Sequence, residues 1–121
     1  MRYLCLAYYE PKKLAALSTE ERKALVSRCP PHDEALKETG QMILQASLSG
    51  TGSSVSIRPR NGKATVTDGP FAETREQVGG FFIIEARDLN EAIRVASKHP
   101  AARIGEDAGW GIEIRPIGIG E

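Results

Sequence analysis

The sequence is poor in cysteine, in unbalanced charge and in long hydrophobic runs. Its two cysteines, Cys5 and Cys29, are too few and too far apart for a disulfide framework or a zinc site. Sixteen basic residues balance sixteen acidic ones, so charge gives no reason to expect direct binding to nucleic acid or to an anionic membrane. No apolar run is long enough to cross a bilayer. The composition therefore argues against a protein stabilised by disulfides, a nucleic-acid-binding protein and a membrane-spanning protein.

Cofactor and targeting signatures are also missing from the sequence. It has no phosphate-binding glycine loop, no dinucleotide fingerprint and no nucleophile elbow, and its two histidines lack the spacing of zinc ligands. We therefore expect no cofactor and no metal. Near the N-terminus, Arg2 precedes an apolar stretch that is followed at once by Glu10 and by no small-residue cleavage site, unlike a signal peptide. The expected location is the cytoplasm.

The length and the composition are those of one globular domain. The chain has 121 residues, of which 40% are apolar and 26% charged, a balance typical of folded rather than disordered proteins. A chain of this size buries roughly two-thirds of its unfolded surface and needs no metal or disulfide to fold. We expect residues 1–121 to form a single domain.

The hydrophobic patterns predict an α+β fold. Pro30-Pro31 separates two helical segments, because proline removes a backbone donor and restricts the residue before it. Without its hairpin, the predicted order is βαββαβ, the ferredoxin-like arrangement. The predicted elements are a strand at 2–9, a helix capped by Ser18 and Glu21, a helix from His32 to Gly40, a strand at 42–48, a hairpin turning at Asn61-Gly62, a strand at 81–86, a helix capped by Asp88 and a strand at 110–116.

The strands at 2–9 and 81–86 are apolar on both faces. Two helices can cover only one face of such a sheet. A second copy of the chain is the simplest cover for the other face, so we expect a homodimer. A ligand cleft between two sheets would use the same surface.

Asp68, at the start of Asp68-Gly69-Pro70-Phe71, has two interpretations. Its carboxylate can accept hydrogen bonds from the backbone N–H groups that follow it, as in an ordinary turn. Alternatively, the strand end presents the carboxylate to a cleft, where Pro70 and Phe71 stiffen and partly desolvate it. In that setting Asp68 is a candidate catalytic acid or base, and Gly69, Pro70 and Phe71 are candidate ligand-binding residues.

Three further side chains are weighed as site residues. His32 follows the Pro30-Pro31 interruption, where a helix start favours neutral imidazole; the alternative is a solvated histidine. His99 ends a predicted helix, where a cation suits the dipole, and we interpret it as structural. Arg58 either discourages the addition of another strand at the exposed edge of the hairpin or binds an anionic ligand through bidentate hydrogen bonds.

The stretch from Val66 to Ala86 resembles the signature of the YCII-related family, DGPF type. Asp88–Ile93, Pro100–Ala102 and Ile112–Pro116 match as well, so the resemblance covers nearly the whole chain. It implies a ferredoxin-like fold of the dimeric α/β-barrel kind. It also implies a histidine–aspartate catalytic pair, for which His32 and Asp68 are the residues of this sequence in the matching regions.

Two kinds of function follow from these expectations. The first is a small-molecule lyase or isomerase in which Asp68 acts as acid or base, His32 is its partner and Arg58 holds a small anionic or ring-containing ligand. The second is a non-catalytic ligand-binding or regulatory module, because the resemblance extends to domains found beside sigma factors. A purely structural dimer is a third option. The sequence does not decide whether the protein is an enzyme.

Overall fold

The computed structural model describes residues 1–118. A four-stranded antiparallel sheet carries helices on one face, and a separate hairpin extends from it. The elements are β1 (Arg2–Tyr9), α1 (Pro11–Ala16), α2 (Thr19–Ser27), α3 (Cys29–Glu38), β2 (Met42–Ser47), β3 (Val55–Arg60), β4 (Lys63–Asp68), β5 (Gln77–Glu85), α4 (Leu89–Ala96) and β6 (Gly111–Pro116).

The strand order confirms the predicted ferredoxin-like fold. The sheet runs β2-β5-β1-β6, with β1 paired to both β5 and β6. Strands β3 and β4 form a two-stranded sheet of their own. They turn at Asn61 and Gly62, whose φ values of 51° and 76° are those of the predicted two-residue hairpin turn. Within residues 1–118, no helix has the length and the hydropathy needed to span a membrane.

The core lies between the sheet and its helices. Alternation along the strands sends Tyr3, Cys5, Phe82 and Ile84 to this side, where all four are buried. They pack against one residue of α3 and three of α4, namely Leu36, Ala92, Val95 and Ala96. The opposite face of the sheet carries apolar side chains that are only half-buried: Leu4, Leu6, Phe81 and Ile83.

The helical region differs from its prediction at two places. The capping box of α2 is confirmed, since Ser18 Oγ accepts from the backbone N–H of Glu21 and the Glu21 carboxylate accepts from that of Ser18. However, α3 begins at Cys29, and the predicted start at His32 is wrong. Pro30 and Pro31 stand in the first turn, where a missing N–H breaks no intrahelical hydrogen bond. The short helix α1 is absent from the predicted elements.

Strand β5 begins at Gln77, four residues before its predicted start, and contains Gly79 and Gly80. Ala7 pairs with Gly80 and Tyr8 with Val78, so Gly79 forms a bulge in the β1–β5 ladder. A Cβ on Gly80 would lie 3.0 Å from the carbonyl oxygen of Ala46, which explains the absence of a side chain there. The bulge lies at the end of the sheet where the main cavity opens.

Candidate functional site

A cavity of about 820 Å³ lies between helices α2 and α3 and the adjoining ends of β1, β2 and β5. Its walls are mostly apolar, and a few polar groups converge on it, which is the usual composition of a small-molecule site. Trp110 forms part of the wall and packs directly against the backbone of Gly105. The polar and titratable side chains that line the cavity include Arg22, Cys29, Asp33, Gln45, Ser47 and His99.

His99 follows α4 and is held rigidly at the cavity wall. Its Nδ1 accepts a hydrogen bond of 3.0 Å from the backbone N–H of Ala101. Its ring stacks on Phe82 with centroids 4.7 Å apart and planes 2° from parallel. Burial lowers the pKa of His99, so the imidazole is neutral near pH 7 and carries its proton on Nε2. This outcome differs from the cation expected at a helix end.

Asp33 lies on α3, one turn after Cys29, and acts electrostatically on two cavity groups. Its negative charge raises the pKa of His99, against the larger lowering by burial. It also adds to the burial that raises the pKa of the Cys29 thiol. Among residues 1–118, no Asp33 oxygen lies within 4.0 Å of a cationic nitrogen. The carboxylate therefore forms no ion pair within these residues, and it acts on His99 through its charge rather than through direct contact.

Cys29 is a thiol rather than a thiolate. Its Sγ donates to the carbonyl oxygen of Leu25 at 3.6 Å, and burial is the main cause of its raised pKa. A raised pKa suppresses the nucleophilic form of cysteine. In the described part of the chain, no group of three or more His, Cys, Asp or Glu side chains is placed to hold a metal ion. Asp33 and His99 are the carboxylate and the imidazole of the cavity lining, and both types of side chain can take part in acid–base chemistry.

Asp68 and Arg58, two of the site residues predicted from the sequence, lie on the hairpin. Asp68 pairs with Val55, and Arg58 pairs with Thr65. Because strand residues alternate between faces, Asp68 and Arg58 project from opposite faces of the hairpin. Asp68 is exposed, and within residues 1–118 its carboxylate makes neither a side-chain hydrogen bond nor an ion pair.

The segment Gly69–Phe71 folds back against Arg58. The Arg58 guanidinium donates to the carbonyl oxygen of Phe71 at 2.6 Å and lies 3.8 Å from the centroid of its ring. Ser56 Oγ donates to the carbonyl oxygen of Gly69 at 2.8 Å. The structure therefore brings Arg58 together with the predicted ligand-binding segment, but not with Asp68. Phe71 itself is 63% exposed.

His32 is half-buried on α3 and is not among the residues that line the cavity. Asp68 and Arg58 do not line it either. The pairing of His32 with Asp68 stays a prediction. Sequence reasoning missed Asp33, although its spacing of four from Cys29 places both on one side of a helix. The sequence led to a structural interpretation of His99, because the hydrogen bond from Ala101, the stacking on Phe82 and the place in the cavity wall depend on the tertiary fold.

The chain matches known sequences over nearly its whole length. The family model of the YCII-related domain matches residues 1–116. An uncharacterized protein of Rhizobium meliloti (strain 1021) is 30% identical over 119 residues, which cover 98% of this chain and 94% of that protein.

A solved structure shows the same fold at low identity. It is that of 5-chloro-2-hydroxyhydroquinone dehydrochlorinase (TftG) from Burkholderia phenoliruptrix AC1100, in complex with 2,5-dihydroxybenzoquinone. The likeness covers 99% of this chain and 96% of that chain, with a TM-score of 0.53 and 15% sequence identity. At that identity the likeness concerns the fold alone. From the family match and the Rhizobium relative, the chain belongs to the YCII-related domain family.

Proposed function

We propose that this protein is a small-molecule lyase or isomerase whose reaction takes place in the cavity, with Asp33 as the acid–base residue and His99 as a neutral hydrogen-bond donor. The observation that carries the proposal is the fixed state of His99. Its Nδ1 is occupied by the N–H of Ala101 and its ring is stacked on Phe82. Only the Nε2–H remains for a ligand.

The chemistry follows from these two groups. A base that removes a proton next to a carbonyl group leaves negative charge on the carbonyl oxygen. The Nε2–H of His99 would donate to that oxygen in a partly buried, apolar setting, where such donors stabilise developing charge most effectively. Asp33 would accept the proton and return it to another atom, giving isomerisation, or the substrate would expel a leaving group, giving elimination.

The structural neighbour supports a reaction of this class. TftG is a dehydrochlorinase, and it was solved with a six-membered ring compound bound. The cavity described above, at about 820 Å³, is large enough for a ligand of that kind. The two free cysteines, Cys5 and Cys29, fit a reducing compartment, and we propose that the protein acts in the cytoplasm.

The variant His99→Phe tests the proposal. Phenylalanine keeps an aromatic ring against Phe82 but removes both ring nitrogens, so the Nε2–H is lost together with the acceptor of the Ala101 N–H. Removing one donor of this kind is expected to lower kcat/KM by about 100-fold to 1,000-fold. The assay is NMR of small cyclic ketones and hydroxylated quinones, including 5-chloro-2-hydroxyhydroquinone, followed for elimination, isomerisation or deuterium uptake. Wild-type rates in a folded His99→Phe protein would disprove the role of His99.

A non-catalytic module, including one linked to sigma-factor-associated transcription, remains the alternative proposal. It predicts that ring compounds bind in the cavity without any turnover. Binding to wild-type protein with no chemical change in any of the compounds would favour the module over the enzyme.

We further propose a homodimer formed through the open face of the sheet. The motivating observation is the row of half-buried apolar residues there, Leu4, Leu6, Phe81 and Ile83. Charge placed on this face by Ile83→Lys is expected to convert a dimer into a folded monomer, measured by sedimentation velocity with circular dichroism for the fold. Ile93→Lys on the exposed side of α4 is the control. A wild-type protein that sediments as a monomer would contradict the proposal.

A further inference from the structure

Arg22 is the one lysine or arginine among the residues that line the cavity. It lies on α2, and its Nε donates to the carbonyl oxygen of Leu17 at 3.2 Å. That bond uses only Nε and leaves the two terminal amino groups of the guanidinium available. In the part of the chain that the structure describes, Arg22 takes part in no ion pair.

The cavity lining carries one acidic and one basic side chain. Asp33 on α3 is the one carboxylate of the lining, and Arg22 on α2 is its one permanent cation. Residues four apart lie on the same side of a helix, so Val26 stands beside Arg22, as Cys29 stands beside Asp33. Within residues 1–118 the two charged groups form no ion pair with each other, so both are available to a ligand in the cavity.

We infer that Arg22 is the anion-binding residue of the cavity and that the ligand is a small ring compound bearing an ionised carboxylate or phenolate. A guanidinium held through Nε presents two parallel N–H donors, which match the two oxygens of a carboxylate. The flat apolar wall, with Tyr9 and Trp110, suits the ring. The inference rests on the proposed function for the site of reaction, because the anion at Arg22 would orient the ring toward Asp33 and His99.

This assignment differs from the one expected from the sequence, in which Arg58 held the anion. The guanidinium of Arg58 is already engaged by the carbonyl oxygen and the ring of Phe71. It also lies outside the cavity lining. Arg22 has one backbone partner and faces the cavity, so it is the cation that can meet a ligand there.

A binding experiment tests the inference without any turnover. The probes are 3-hydroxybenzoate and its neutral analogue 3-hydroxybenzamide, titrated into wild-type protein by ligand-observed NMR and calorimetry. The benzoate is expected to bind at least about tenfold more tightly than the benzamide, as for hydrogen bonds to a charged group. In Arg22→Met this preference is expected to disappear. In the control Arg28→Met, which changes the arginine that follows α2 and is not part of the cavity lining, the preference is expected to persist.

Two results would overturn the inference. One is equal or absent binding of the two probes to the wild-type protein at millimolar concentration, and the other is a preference for benzoate that survives in Arg22→Met. Because these readouts are affinities, they are independent of the His99→Phe rates. A protein that binds the benzoate through Arg22 but shows no catalysis would contradict only the proposed function, and catalysis without the preference would contradict only the anion site.

Discussion

Replacing Gly105 by alanine is expected to lower the free energy of unfolding by about 3 kcal/mol or more. Gly105 has a φ of 80°, a left-handed conformation that costs an L-residue about 1–2 kcal/mol. A Cβ at this position would also overlap the indole of Trp110, and overpacking of this kind costs about 1–3 kcal/mol more. Guanidinium denaturation followed by circular dichroism measures the loss. The effect matters for the site because Trp110 is part of the cavity wall.

A matched glycine separates the two contributions to this loss. Gly40 follows α3 with a φ of 69°, and no other atom lies within 4 Å of the position that a Cβ would occupy there. Gly40→Ala should therefore show the backbone cost alone. In a Trp110→Ala background, Gly105→Ala should then cost about as little as Gly40→Ala, because the overlapping ring is gone. Equal losses for Gly105→Ala and Gly40→Ala in the wild-type background would show that Trp110 does not restrict position 105.

The parts of the fold that could be predicted from the sequence are those fixed by local chemistry. Ser18 and Glu21 satisfy each other's backbone donors across three residues, and Asn61-Gly62 adopts the positive φ values that its turn requires. Asp88 caps α4 by accepting from the backbone N–H of Glu91. Each signal involves residues a few positions apart, so its interpretation does not depend on the rest of the fold.

The start of α3 and the existence of α1 could not be predicted in the same way. Prolines in a first helical turn look, in sequence, like prolines that interrupt a helix, and Pro30-Pro31 fits both interpretations. Pro11 likewise marks the end of a strand and the start of α1 together. Which role a proline takes depends on where the preceding residues are held, and that is decided by tertiary packing.

The candidate site was only partly predictable for a similar reason. Asp68 stands out in the sequence because its neighbours are turn residues, but the structure places it on an exposed hairpin. Asp33 and His99 are 66 positions apart in the sequence, and they share a cavity only because the fold brings α3 and the segment after α4 to the same place. No local sequence pattern indicates that these two residues share a cavity. The burial that makes His99 neutral is likewise a property of the folded protein.

Replacing Asp33 by asparagine is expected to lower kcat/KM by about 100-fold to 10,000-fold, the usual contribution of a general acid–base group. The asparagine amide keeps the size of the side chain but cannot take up a proton. Glu38→Gln, at the exposed end of the same helix, is the control for loss of a negative charge on α3. The same assay is run on Asp68→Asn. If turnover is lost in Asp68→Asn and retained in Asp33→Asn, the acid–base residue is Asp68 on the hairpin.

The variant Asp33→Asn should also change the pKa of His99, which can be measured without a substrate. The Asp33 charge raises the pKa of His99, so Asp33→Asn should lower it further, measured by NMR titration of the ring. A histidine whose pKa is lowered by folding binds fewer protons in the folded than in the unfolded state, so stability falls as the pH drops below about 6.5. That acid-induced loss should be larger in Asp33→Asn than in Glu38→Gln. An unchanged His99 pKa in Asp33→Asn would mean that the two groups do not share an electrostatic environment, and the acid–base pair would have to be sought elsewhere.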